Sequence, residues 1–434
     1  MLRLPSFDAR LGIILNVLSF SILSIIAPAQ ATPLKNDEHF VGSFKETLAR
    51  DGQGPYPYYR IVGLTSLGNG VLLAAFDGRP NGGDAPSPNS ILQRRSTNGG
   101  KTWGNLTYIA KGQNGDNDTQ QYGFSDPSYV FDHTSGTVFN FHVFSKNQGF
   151  AGSELGNNDT DLDVLSAEVS VSTDAGLSWS TDPTHQPNLP PIDSINPGAP
   201  PLITKIVKPL GKTVNGVANV GGVRGGFAAS GEGIQLRYGS RAGRLIQQYV
   251  GRVIQSDGST SMQAYSVYSD DSGKTWQMGQ PVGSGMDENK VVELSNGDVM
   301  LNSRPSDNSG YRKVAISNDG GETYSTPKTD TQLPDPECNG AIARMYPDAA
   351  EGSTLAKILL FTNANNMHSR ENGTIRYSCD DGATWSSGRV FQPNATGYST
   401  VTALGNDKFG IFYEGPGNDL IFLEVNKTWI GVSC

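Results

Sequence analysis

Cysteine, histidine, net positive charge and helical periodicity are all scarce in this chain, and each shortage excludes something. Three cysteines in 434 residues, Cys338, Cys379 and Cys434, cannot staple a domain of this size. At least one stays unpaired in a monomer, and spacing does not choose the pair. Five histidines without ligand-like spacing offer no metal site, and no cofactor is expected. A formal charge of −9 argues against nucleic acid or another polyanion as partner, although a local arginine cluster can still attract one carboxylate. Long stretches with a 3.6-residue apolar period are missing, which disfavours a helical domain. One long apolar run, Leu11 to Ala27, is interrupted by Asn16 and serines and is short for a membrane span. With Arg3 and Arg10 around its start and Ala29-Gln30-Ala31 behind it, the run reads as a secretory signal over residues 1–31, cleaved after Ala31. The expected mature protein, 32–434, is one secreted, extracellular domain with no stable membrane insertion.

What is plentiful is turn chemistry: 53 glycines and 25 prolines. The pattern S-x-D-x-G-x-T-W recurs at Ser96 to Trp103, with Asn98 in the Asp place, and at Ser172 to Trp179, with Ser178 for Thr. It returns at Ser269 to Trp276, at Ser317 to Tyr324 with Tyr for Trp, and at Ser378 to Trp385. Asp or Asn and Gly favour a tight backbone, the hydroxyls and carboxylate satisfy turn amides, and the aromatic ring is expected to pack on its own blade. These residues are therefore structural. The shortest spacing, Ser269 to Ser317, fits one four-stranded blade, so the repeats predict a ring of blades, an all-β propeller. The Pro/Gly-rich stretch from about 185 to 226 lacks regular pattern and reads as an inserted loop.

Between the repeats, hairpins carry ionisable residues to matching ends. Around Ser295-Asn296-Gly297, Glu288 and Arg304 are equidistant from the turn, so an antiparallel hairpin sets them side by side. The hairpin around Gly68-Asn69-Gly70 likewise brings Arg60 near Asp77 and Arg79, and the one around Gly405-Asn406-Asp407 pairs Tyr398 with Glu414. One such pair alone would read as a solvated surface ion pair. Three of them in a propeller can converge on the central channel.

The segments YYRIV at 58–62, DGRPNGGDAPSPNSILQRRS at 77–96, GFSDPSY at 123–129, GMDENKVVEL at 285–294, HSRENGTIR at 368–376 and GYST at 397–400 occur in an order that resembles bacterial and fungal exo-α-sialidases (neuraminidases). The repeats resemble the Asp boxes, or BNR repeats, of that family. The resemblance covers nearly all of the mature chain and is greatest to secreted actinobacterial catalytic domains. It implies a six-bladed β-propeller and the removal of terminal sialic acid from glycans, glycoproteins or glycolipids. Carried over residue by residue, it makes Arg60, Arg304 and Arg370 the triad that holds the sugar carboxylate, and Glu414 the residue orienting the first arginine. It further implies that Asp84 is the general acid/base, Tyr398 the nucleophile and Glu288 its base. Arg79 and Asp126 match the 4-hydroxyl and N-acyl side of the pocket; Phe124, Val143 and Phe150 match an apolar subsite for the acetyl methyl. YYRIV departs from the pattern by placing Val62 where the family usually has proline.

These assignments make chemical sense. Three fixed guanidinium groups bind one carboxylate through several charge-assisted bonds that lysine could not reproduce. A phenol, unlike a carboxylate nucleophile, is not repelled by the carboxylate on the sialic acid anomeric carbon, and sialidases are exceptions to the two-carboxylate scheme. Two other classes share parts of the pattern. A non-catalytic Asp-box propeller that binds glycans needs only the scaffold. A trans-sialidase, an anhydro-forming enzyme or a Kdn-preferring enzyme shares the whole constellation.

Overall fold

The computed structural model describes residues 44–180 and 202–434. The expected signal at 1–31 and the part of the expected loop before residue 202 lie outside the described residues. Six sheets, antiparallel except for one short parallel strand in blade 2, stand around a central axis, making a six-bladed β-propeller. Blade 1 is built from Tyr58–Gly68, Val71–Arg79, Ser90–Ser96 and Thr107–Ala110. Blade 4 (Met286–Glu293, Val299–Pro305, Tyr311–Ser317, Lys328–Pro334) and blade 5 (Ala341–Arg344, Leu359–Ala364, Glu371–Ser378, Arg389–Ala395) repeat this simple order. Blade 6 takes its inner three strands from Ser399–Gly405, Lys408–Glu414 and Leu420–Asn426 and its outermost strand from Phe44–Ala49, so the two ends of the described chain close the ring.

Blades 2 and 3 depart from simple order, and here the expected loop needs new boundaries. Residues 202–222 carry a helical turn, Thr204–Val207, and a two-stranded ribbon, Lys212–Val214 with Val217–Val220. Val223–Ala228, whose first residues were assigned to the loop, is a strand of blade 3 beside Leu245–Ile254, Thr260–Ser269 and Gln277–Met278. Its glycines, Gly225 and Gly226, disguise it as loop. The chain then crosses the centre of the ring. Gly231–Glu232 adds parallel to Gly123–Phe131 of blade 2, whose other strands are Val138–Ser145 and Ser166–Ser172. Within this crossing, Ser230 reaches Glu288 of blade 4, and Glu232 accepts from Thr65 of blade 1 at 2.6 Å. A Cβ on Gly63 would lie 3.1 Å from the Pro127 carbonyl oxygen and 3.3 Å from that of Gly231, so the backbones meet closely there and a side chain would have to push them apart by a few tenths of an ångström.

Apolar side chains pack between blades. Leu64, Leu72, Phe76 and Leu92 of blade 1 meet Phe412, Leu420 and Phe422 of blade 6, for example. All five Asp boxes follow the third strand of blades 1 to 5. In the box of blade 3, Asp271 accepts from the Thr275 amide (2.9 Å), Thr275 Oγ1 (2.7 Å) and Ser269 Oγ (2.8 Å), while Ser269 Oγ accepts from the Gly273 amide. The expected turn chemistry is present, but two of the rings do more than pack on their own blade. Trp103 meets Phe422 of blade 6 edge-on at 5.1 Å, and Trp276 meets Phe141 of blade 2 at 4.9 Å. The box glycines lie under the same joints: a Cβ on Gly100 would sit 2.3 Å from Phe422, and one on Gly273 2.1 Å from Phe139. The Asp box is thus an inter-blade fastening.

Candidate active site

Antiparallel order decides which residues share a face. First strands begin, second strands end and third strands begin at one mouth of the channel, whereas the turns between strands one and two, and the Asp boxes, lie at the other. Arg60, Asp126, Glu288 and Tyr398 lie at or beside first-strand beginnings. Arg79, Arg304 and Glu414 lie at second-strand ends, and Arg370 immediately precedes a third strand. A cavity of ≈ 740 Å³ at the opposite mouth is lined by the turn residues Gly68, Asn69, Asn406 and Asp407 and by none of the arginine triad.

Local irregularity aims the side chains. Pairing shifts register between Arg60 and Val62, between Ser125 and Ser128, and between Met286 and Asn289. Ile61 (φ 64°) and Asp126 (φ 64°) lie in the left-handed region at two of these bulges. For β-branched Ile61 that conformation costs on the order of 1–3 kcal/mol and persists because its surroundings hold it. Bulges re-aim side chains near functional sites.

The triad converges on one ring. The Arg60 and Arg370 guanidinium carbons lie 5.4 and 5.5 Å from the centre of the Tyr398 ring, and Arg304 Nη1 donates to Tyr398 Oη at 3.1 Å. Arg60 is fixed by Glu414 through Nε (2.8 Å) and Nη2 (3.3 Å). Glu414 also accepts the backbone amides of Ile61 (2.8 Å) and Tyr398 (3.0 Å). Burial opposes the Glu414 charge, but the Arg60 guanidinium and these donors overcome it and hold its carboxyl below the usual range. Gly397 makes room, since a Cβ there would lie 2.1 Å from Glu414 Oε2. Arg304 Nη1 also donates to Glu288 Oε2 at 2.6 Å, which realises the hairpin pairing read from the turn. Arg370 donates to the Glu337 carbonyl at 3.0 Å.

Tyr398 is buried and hydrogen-bonded to Glu288. Burial, then the Glu288 charge, pushes its phenol well above the ordinary value, against the opposing pull of Arg304 and Arg370. It rests as a neutral phenol whose proton has an acceptor in place. Asp84 lies on the loop after the second strand of blade 1, with its side chain 82% exposed, and accepts from Arg79 Nη1 at 2.6 Å. Its second carboxylate oxygen has no hydrogen-bond partner among the described residues, and the side chain stands open to solvent at the mouth. The loop rests on blade 2, where a Cβ on Gly149 would lie 1.9 Å from the Ala85 carbonyl oxygen.

Arg79 is itself anchored by Asp77, which is fully buried and accepts from Nε (3.1 Å) and Nη2 (2.9 Å). Burial pushes Asp77 up to about 6 despite Arg79, and burial together with the charges of Asp77 and Glu288 pushes Asp126 well above the carboxylate range. The expected apolar subsite is not one surface. Phe124 stacks on Phe144 at 5.3 Å in the cluster shared with blade 1. Val143, the neighbour of Phe144 on the same strand, points to the other face of the sheet. Phe150 packs edge-on against Phe227 of blade 3 at 5.0 Å. Phe124 is therefore core, with Val143 and Phe150 on the blade 3 side.

Sequence reasoning gave no role to Ser230, which contacts Glu288, or to Asn339 and Lys290, which are linked to Ser230 in turn. They come from unconnected segments without turn symmetry to flag them. The structure also pairs Cys379 with Cys434 and leaves Cys338 buried, its thiol pushed up to about 12 by burial. Among the described residues no group of three or more His, Cys, Asp or Glu is placed to hold a metal ion, and no helix is long and apolar enough to cross a membrane.

Residues 231–411 match the model of a BNR repeat-like domain. A sialidase of Micromonospora viridifaciens is 47% identical across the whole chain, which covers 61% of that protein. Over its whole length the chain is similar to sialidases. A sialidase of Bacteroides fragilis is 29% identical over 85% of the chain and 62% of its own length. The chain thus spans about three fifths of these curated relatives. Among solved structures, the Hadza microbial sialidase Hz136 superposes with a TM-score of 0.71 at 26% identity, over 86% of this chain and 67% of that one. The intramolecular trans-sialidase of Ruminococcus gnavus, at 18% identity and a TM-score of 0.67 over 87% of this chain and 96% of that one, shares the fold.

Proposed function

We propose that this chain is a secreted exo-α-sialidase that releases terminal sialic acid from glycoconjugates with retention of configuration, through a tyrosyl-enzyme intermediate. The observation that carries the reading is the convergence of Arg60, Arg304 and Arg370 on the ring of Tyr398. A carboxylate held by the three guanidinium groups places its own attached carbon over the phenol oxygen. That order of groups, carboxylate beside the reacting carbon, is the chemistry of a 2-keto sugar acid. A carboxylate nucleophile about 4 Å from the substrate carboxylate would be repelled by roughly 4 kcal/mol at an effective dielectric near 20, about a thousandfold in rate. The neutral phenol avoids this.

In the first step Tyr398 Oη attacks the anomeric carbon while Glu288 takes its proton, and Asp84 protonates the departing glycosidic oxygen. In the second, Asp84 now ionised removes a proton from water, which displaces Tyr398; Glu288 returns the proton to the phenolate. Arg79 and Asp126 face the neighbouring ring substituents, and the surroundings that push the Asp126 carboxyl upward favour its protonated form, which donates a hydrogen bond as well as accepting one.

Product analysis with defined α-sialosides tests the reading. Free sialic acid, first formed as the α-anomer, is the expected product. No release from any α-sialoside would refute it and leave a glycan-binding propeller, while 2,7-anhydro or transferred product would assign the same site to the related chemistry. Secretion directed by residues 1–31 is tested by the mature N-terminus found in culture medium.

A further inference from the structure

Glu288 is 1% exposed and its two oxygens are served from opposite directions. Oε2 accepts from Arg304 at the site mouth. Oε1 faces the channel interior, where Ser230 Oγ lies 3.4 Å away on the segment that crosses the ring. Behind Ser230, Asn339 places its Nδ2 2.8 Å from Ser230 Oγ and 3.0 Å from the Ser230 carbonyl. Asn339 Oδ1 in turn lies 2.9 Å from Lys290 Nζ. Lys290, Asn339 and Ser230 are all essentially inaccessible to solvent. Gly231 opens the space, as a Cβ there would lie 2.8 Å from Lys290 Cε.

We propose that Lys290, Asn339 and Ser230 form a one-way hydrogen-bond relay that fixes a donor on Glu288, which makes Lys290 a positioning residue for the base. This rests on the reading of Glu288 as the base for Tyr398. The direction follows from valence. The lysine nitrogen is surrounded by acceptors, Asn339 Oδ1 and the Asn289 carbonyl at 3.5 Å, so it donates. Its donation fixes the Asn339 oxygen toward itself and turns the amide NH2 toward Ser230. Ser230 Oγ, already accepting from that amide, has its single proton left for Glu288. Burial pushes Lys290 down to about 7, but an uncharged amine facing the same acceptors still donates. Without Lys290 the Asn339 oxygen loses its donor and only the bond to the Ser230 carbonyl still orients the amide, so the flipped state, in which Ser230 donates to Asn339 and Oε1 loses its donor, gains population.

The charges around this network are accounted for. Arg304 from the second strand, Tyr398 from blade 6, Asp126 from blade 2, and Asp287 and Lys290 on its own strand face Glu288. Glu288 and Arg312 face Lys290. A donor to a carboxylate favours its charged form, so removing it raises the pH at which the base becomes protonated.

The test is the pH profile of kcat/KM on an aryl α-sialoside. Ser230→Ala is expected to move the acid limb upward by about 0.3–0.5 unit, the lower end of what one hydrogen bond contributes, since the contact is a long one at 3.4 Å. Lys290→Met is expected to move it in the same direction, and the double variant no further than Ser230→Ala alone, since both cut one chain. Additive shifts, or a shift in Ser230→Ala without one in Lys290→Met, would overturn the relay. Ser230→Ala removes only a hydroxyl, so an unmoved limb there overturns it whether or not the Lys290 variant folds. The underlying reading fails differently: the unaltered chain releases no sialic acid, or Glu288→Gln keeps the original acid limb.

Discussion

Glu414→Gln tests the foundation of the triad. Oε1 of Glu414 accepts Arg60 Nε and the Ile61 amide, both at 2.8 Å, and Oε2 accepts Arg60 Nη2 at 3.3 Å and the Tyr398 amide at 3.0 Å. Four donors meet two oxygens, so an amide of the same shape must turn its NH2 against two of them in either orientation. Neutralising one partner of a buried ion pair typically costs about 3–5 kcal/mol; the Arg60 side chain keeps 25% exposure, which places the expected loss near the lower end, about 3 kcal/mol. Urea unfolding of both forms at several pH values measures it. The folded-state pKa of Glu414 is lowered, so its contribution is complete above the unfolded value near 4.3 and disappears as pH falls through the folded value. The gap between native and variant should therefore be full at pH 7 and close in acid. A gap below about 1 kcal/mol at pH 7, or one that widens on acidification, refutes the assignment of Glu414 as a charged anchor.

Asp84→Ala should lose about 10²–10⁴ in kcat/KM on natural sialosides and far less on an activated aryl sialoside, because only the former needs a protonated leaving group. Equal losses on both would exclude Asp84 as the acid. A fluorinated sialosyl donor followed by peptide mapping should label Tyr398; a label on Glu288 or Asp84, or unchanged retaining turnover in Tyr398→Phe, would overturn the nucleophile. Asp380, which accepts from the Thr384 amide, Thr384 Oγ1 and Ser378 Oγ, should cost about 1 kcal/mol of stability as Asp380→Ala with KM unchanged. A fully stable but inactive variant would contradict a structural role.

Turn and pairing symmetry made much of this molecule legible. Equal distances from Asn296 put Glu288 beside Arg304, and the repeated Ser, Asp, Gly and aromatic residues marked the end of the third strand in five blades. What stayed hidden depends on neighbours far along the chain. The Asp-box rings of Trp103 and Trp276 reach the preceding blade, which no single repeat reveals. Val223–Ala228 contains a Gly-Gly pair and so resembled loop. Phe124 and Val143 were assigned to one subsite, yet the alternation of adjacent strand residues turns them to opposite faces. Ser230, Asn339 and Lys290 meet only because the chain crosses the centre of the ring.

That the outermost strand of blade 6 comes from Phe44–Ala49 has a kinetic consequence. Phe44 pairs with Glu424, so the first described strand to leave the ribosome must wait for the last strand before it can be placed. Five blades can pair from local hairpins during synthesis, but the ring stays open, with Phe44–Ala49 waiting unpaired, until Leu420–Asn426 has been made. Closure is thus the step of highest contact order. Until then the growing chain is most prone to join another chain through the unpaired Phe44–Ala49, and a holdase would act there before the sixth blade is sealed.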